Sequence, residues 1–145
     1  MGVIQNYRRE VVMEHVIKGV LSVITTTFIY LLGGFDIALQ SLLIVIVLDY
    51  ITGLSKSYVN HSLSSAIGLK GIVKKLCLLI LVAVAVTVDS LTIGNGAIRT
   101  LIIYYLVANE GLSIMENLGE MDIIVPKFIK DRLEQLKSTN EGDIK

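Results

Sequence analysis

One cysteine and two histidines are all the thiol and imidazole chemistry that these 145 residues offer. A lone Cys77 excludes an intramolecular disulfide and a cysteine-based metal cluster. Set in KKLCLLIL with no histidine beside it, it reads as a small buried hydrophobe rather than a nucleophile. His15 and His61 stand apart, one on an N-terminal helix and one in a loop, and both read as solvated. No phosphate-binding loop, serine nucleophile elbow or metal-ligand spacing is present. Enzyme activity has little to rest on, and no cofactor, metal or nucleic-acid partner is expected.

Charge is missing where a soluble fold would need it. The 13 basic and 13 acidic residues avoid two long stretches: residues 19–48 contain only Asp36, and residues 76–98 only Asp89. The runs SLLIVIVL (41–48) and LCLLILVAVAV (76–86) have no face for water-seeking side chains, so neither forms an amphipathic surface helix. A small domain has room for about one helix that is apolar all round, which makes lipid the expected solvent. A secretory signal is not indicated either. The first apolar run follows a segment holding Arg8, Arg9, Glu10, Glu14 and Lys18, and no small-residue cleavage site ends it.

Glycine then divides the apolar chain. Spans are expected at about 19–32, 36–53, 72–93 and 97–116, with tight turns at Gly33-Gly34 and Gly94-Asn95-Gly96, so the four fold as two antiparallel hairpins. The loop between the hairpins, residues 55–71, and the lysines that follow it carry Lys56, Lys70, Lys74 and Lys75 and no acid. The amphipathic segment 1–18 is basic, and so is the tail 118–145, with Lys127, Lys130, Arg132 and Lys137. Under the positive-inside tendency all three face the cytoplasm only if the number of spans is even. The expected fold is therefore an all-α integral membrane protein, N-in and C-in; a three-span alternative would leave one terminus on the wrong side. Pro126 and the spacing of Phe128 or Ile129, Leu133 and Leu136 predict an amphipathic helix over about 126–137 at the inner face. Residues 138–145 read as disordered.

Ionisable groups at membrane depth cost a few kcal/mol each on insertion scales, so each needs a partner or a wet face. Residues equidistant from a hairpin turn lie level. That places Asp89 against Arg99 near the outer interface and Asp49 against Lys18 near the inner one, two ion pairs that would fix hairpin register. On a helical wheel Arg99, Asn109, Glu110, Ser113, Glu116 and Asn117 fall within roughly 120°, interrupted by Ile102 and Leu106. Such a stripe suits water or another subunit, although Glu116 and Asn117 could simply lie among headgroups. Ala83, Thr87, Ser90 and Gly94 form a small-residue ridge that lets helices approach closely, within one copy or between copies.

Several short patterns recur in a fixed order. They are Asp49 with Thr52-Gly53, then Ser64-Ser65 with Gly68 and Gly71, then Lys74-Lys75 before the next span. Asp89 late in that span, Glu110-x-x-Ser113-Ile114-x-x-Asn117, and Val125-Pro126 before the tail complete the set. Over roughly residues 40–137 this resembles the holin family of phages of Gram-positive bacteria, which includes toxin-secretion holins. The resemblance implies a protein that gathers in the cytoplasmic membrane, oligomerises with copies of itself among membrane lipid, and opens lesions that release an endolysin or a toxin without needing to touch it. The fourth span, through Arg99, Asn109, Glu110, Ser113 and Asn117, is expected to line the lesion or the oligomer interface. An antiholin-type regulator would share this composition. A small proton-coupled four-helix transporter fits less well, because Asp49, Asp89 and Glu110 lie towards span ends.

Overall fold

The computed structural model describes residues 2–92 and 95–142 and consists of five helices: α1 (Gly2–Leu31), α2 (Ile37–Val59), α3 (Ser65–Leu91), α4 (Ala97–Gly119) and α5 (Lys127–Gly142). α1 stops where expected. Gly33 and Gly34 take φ of +78° and +104°, and their N–H groups donate to the carbonyls of Tyr30 and Ile29, the paired closure of a Schellman motif that glycine permits. Asp36 then starts α2, its Oδ1 accepting from the Leu39 N–H at 2.9 Å.

The connection between α2 and α3 is far shorter than the loop over 55–71 that the sequence suggests. Neither glycine nor proline lies between Ser55 and Val59 to stop α2, and Ser64 caps α3 by accepting from the Ile67 N–H at 3.3 Å. Only 60–64 remain non-helical, with His61 in the left-handed region at φ 52°. Gly68 and Gly71 sit inside α3, where they let the Tyr50 ring approach; a Cβ at Gly71 would lie 3.1 Å from it.

α4 is the central helix, packed on by α2, α3 and α5. Leu39, Leu42 and Ile46 of α2, Val82 of α3, and Ile103 and Leu106 of α4 form the buried core, closed at one end by Leu32. α5 returns antiparallel along the C-terminal half of α4. Leu133 rests against Gly111, and Lys137 donates to Asn109 at 3.3 Å from a place 5.9 Å above the Tyr105 ring. The helix extends to Gly142, through part of the tail expected to be disordered.

Among the described residues three helices are long and apolar enough to cross a membrane, over Tyr7–Leu31, Ile37–Val59 and Ser65–Leu91. α4 is not one of them. Outside the core the large apolar side chains are bare: Ile44, Val47 and Ile51 on α2, Leu76, Ile80 and Val84 on α3. Such surfaces suit lipid. Cys77 shares this outer side and is exposed, which corrects its reading as a buried residue.

The first pair of helices departs from the hairpin expectation. α1 runs unbroken through the segment read as separate, and Val20, Ile24 and Phe28 along it are exposed. α2 turns its buried face to α4 and, to a smaller extent, α3, which leaves α1 no core to join.

Candidate functional site: two polar layers in the bundle

The apolar core ends in a polar layer at each end. The one beside the Gly33-Gly34 turn, named the outer layer after the expected topology, is built on Arg99, in the first turn of α4 and buried. Its Nε donates to the Leu32 carbonyl at 2.7 Å, Nη1 to Asp36 Oδ2 at 2.7 Å, and Nη2 to Asp36 Oδ1 and the Gly34 carbonyl, both at 3.1 Å. The planar fork thus grips one carboxylate with two nitrogens and also satisfies two carbonyls of the turn. Gly33 is required beneath it, since a Cβ there would stand 2.7 Å from Nε. Hydrogen bonding to Arg99, aided by the Leu39 N–H, holds the Asp36 carboxyl below its ordinary value of 3.8.

Asp89 meets the same residue differently. Its two oxygens accept from the backbone N–H groups of Ile98 at 3.1 Å and Arg99 at 2.7 Å. Gly96, the formal cap of α4, supplies no side chain, so a carboxylate from α3 satisfies N–H groups that a helix start leaves free. The expected Asp89–Arg99 contact is present at the right residues, but through the backbone; the guanidinium goes to Asp36.

The inner layer joins three helices. Lys75 of α3 donates to Asp49 of α2 and to Glu110 of α4. Asn117, two turns further along α4, donates to Asp49 Oδ1 at 3.1 Å and to the Thr52 hydroxyl at 3.3 Å. Thr52 in turn donates to the Asp49 carbonyl at 3.1 Å. Glu110 is 0% exposed, and its Oε1 has no hydrogen-bond partner. One ammonium therefore serves two carboxylates.

This replaces the expected Lys18–Asp49 pair. Lys18 lies on the exposed α1, where it bonds Glu14 one turn back at 2.6 Å. Being equidistant from the turn carries no meaning for α1 and α2, because these two helices do not pack on each other. Lys75, which the sequence places among the basic residues before the third span without a partner, is one missed residue, and Asp36 is the other. A signal for Lys75 existed: it and Asp49 are equidistant from Ser62, in the short connection between α2 and α3.

The polar stripe of α4 divides by direction. Arg99, Glu110 and Asn117 point into the bundle, Asn109 meets α5, Ser113 lines a cleft between α2 and α3, and Glu116 is exposed. Of the small-residue ridge, Ala83 is partly buried, while Thr87 and Ser90 are exposed and bond their own helix at 2.9 and 2.8 Å. Gly94 lies outside the described residues.

Bare apolar helices whose charges are paired inside define an all-α protein of the membrane, crossing it more than once. The family model of the bacteriophage holins matches residues 26–138, and the chain belongs to that family. It lies in the bacterial cytoplasmic membrane as a multi-pass protein. A probable holin of Bacillus phage phi105 is 34% identical over 103 residues, covering 71% of this chain and 76% of that protein. An uncharacterized protein of Clostridium perfringens is 42% identical over 117 residues, covering 79% and 86% of the two chains. Another from the same species, named for its position in the nagH 3′ region, is 41% identical over 132 residues, covering 87% and 98%. No solved structure matches the chain.

Proposed function

We propose that the chain is a holin with four membrane crossings and both ends in the cytoplasm, whose copies assemble and open lesions that let an endolysin or a toxin leave. The observation that carries this reading is the inner layer, where Glu110 is wholly enclosed, lacks a partner for one oxygen and shares Lys75 with Asp49. Burying ions costs several kcal/mol each, and a shared partner offsets only part of that. In a dilute copy the bundle keeps these groups from lipid. In an assembly α4 can turn them towards water or towards another copy, which relieves the cost.

The polar layers also support α4 as the fourth crossing. At 1.5 Å per residue they are roughly 16–21 Å apart along the helices, so a hydrocarbon core of about 30 Å holds both, each roughly 5–7 Å inside an edge when the pair is centred. Between them α4 is apolar from Leu101 to Ala108, and Arg99 and Glu110 are paired with Asp36 before α2 and Lys75 of α3. The exposed α1 and the Thr87 and Ser90 side of α3 offer the surface on which copies meet.

Inducible expression in a bacterium with a potential-sensitive dye tests the function. The wild type is expected to collapse the membrane potential abruptly, and Arg99→Leu with Glu110→Leu to insert without doing so. Retained lytic activity in that double variant would count against α4 as the lining helix. For topology, Cys77→Ser carrying a new cysteine at Ser138 should resist an impermeant thiol reagent added outside intact cells, whereas labelling would support three crossings.

A further inference from the structure

Beside the inner layer a cleft of about 530 Å³ opens between α2 and α3. Lys56 stands on its α2 side and Lys70 and Lys74 on its α3 side, with Lys75 and Asn117 at its floor. No Asp or Glu occurs between Tyr50 and Val88, and Asp49, which also lines the cleft, is taken by Lys75 and Asn117. Two of these cations are already committed, Lys56 to Glu120 at 2.9 Å and Lys75 to Asp49 and Glu110. Lys70 and Lys74 are exposed and make no ion pair or hydrogen bond among the described residues. One turn apart on one helix, like charges repel, so the fold gains nothing by holding them there.

The depth of the cleft indicates what would balance them. The apolar run of α3 begins at Leu76, directly after Lys74 and Lys75; on α2 the uninterrupted run ends at Leu48, and Leu54 is the last apolar residue before Ser55 and Lys56. The cleft thus opens where hydrocarbon meets headgroups. Leu54 and Ile67 line it, and on the lysine-bearing face of α3 the next turns present the exposed Cys77 and Leu81, so a phosphate among the lysines can continue into an acyl chain along α3. Gly53 and Gly71 keep the walls low. A free phosphate would use the lysines but leave the apolar wall unused.

We infer that this cleft binds the headgroup phosphate of an anionic phospholipid through Lys70 and Lys74, with Lys56 at its margin. Basic pockets between membrane helices recognise such headgroups. The inference rests on α2 and α3 crossing the membrane and is independent of lesion formation.

The test uses the full-length protein in mild detergent with equal amounts of phosphatidylglycerol and phosphatidylcholine, counting retained lipids by native mass spectrometry. The wild type should retain phosphatidylglycerol preferentially. Each lysine near an anionic surface contributes about fivefold, so Lys70→Gln with Lys74→Gln should lower that preference by roughly thirtyfold. Lys70→Arg with Lys74→Arg should keep it, as should Lys127→Gln with Lys130→Gln on α5. No headgroup preference in the wild type, or an equal preference in the variant carrying both Lys70→Gln and Lys74→Gln, would overturn the site. Displacement of phosphatidylglycerol by millimolar inorganic phosphate would overturn the lipid as its ligand. Because the readout is lipid retention, it can fail while permeabilisation persists, and the reverse.

Discussion

The two polar layers carry the same formal charge, two carboxylates to one cation, yet they are built to opposite effect. In the outer layer the surplus carboxylate, Asp89, is matched by two backbone N–H groups at the positive end of α4. Asp36 is bonded to both outer nitrogens of Arg99, caps α2 and still reaches solvent, its side chain being 51% exposed. In the inner layer the surplus falls on Glu110, enclosed and with one oxygen unpartnered. Arginine's rigid fork fixes one geometry, whereas a lysine ammonium can move between acceptors. The outer layer fastens the turn, α2 and α4 together. The inner one is the layer that a rearrangement of the bundle can exchange for water.

The largest expected effect therefore belongs to Lys75. Lys75→Met leaves two carboxylates facing each other in a buried place and should cost about 3–5 kcal/mol, read as thermal unfolding in detergent. Adding Asp49→Asn and Glu110→Gln should recover most of it. Stability of the single variant equal to the wild type would show that the layer is not held by that cation. Arg99→Leu should cost less, about 1–3 kcal/mol, because Asp36 can be hydrated when its partner is gone. Gly33→Ala acts on the same contact from the other side, through left-handed backbone and a Cβ against Nε, and should also cost about 1–3 kcal/mol. The two changes should not add. In the Arg99→Leu background only the backbone strain of Gly33→Ala remains, so a double-mutant cycle that closed at zero would show Gly33 serving the turn alone.

The limits of the sequence reading follow the same division. The charge-poor runs disclosed α2 and α3, glycine marked the turns at 33–34 and 95–96, and the order of short polar patterns led to the family. What stayed hidden was which neighbour each polar group faced. Arithmetic about a turn yields depth for helices that pack, as α3 and α4 do, and misleads for α1, which does not. Even where depth was right, at Asp89 and Arg99, it could not separate a backbone N–H from a guanidinium, because a long side chain bonds several residues from its own Cα. The wheel of α4 had a similar blind spot. Arg99, Glu110 and Asn117 project within about 20° of one another, with Asn109 and Glu116 some 80–100° to the side. Read alone, that stripe suggests a wet face; opposite α2 and α3 its narrow centre is an interior whose charges are met by Asp36 and Lys75.

The smallest effect tests the outer layer without removing it. The Asp36 carboxyl is lowered from 3.8 chiefly by hydrogen bonding to Arg99. A group whose folded pKa is depressed contributes stability that is complete above the unfolded pKa and lost as pH falls through the folded one. The contribution of this contact should therefore be whole above about pH 4 and fade below it. Half-exposed, Asp36 is screened by solvent, so the change should be modest. Asp36→Asn keeps the size of the side chain and one acceptor for Arg99 but removes the titration. The wild type should consequently lose thermal stability more steeply than the Asp36→Asn variant as pH falls from about 5 to about 2. Carboxylates elsewhere titrate in both proteins, so the difference in slope isolates this one. Parallel slopes would mean that Arg99 holds the turn through the Leu32 and Gly34 carbonyls, and that the carboxylate contributes its cap on α2 alone.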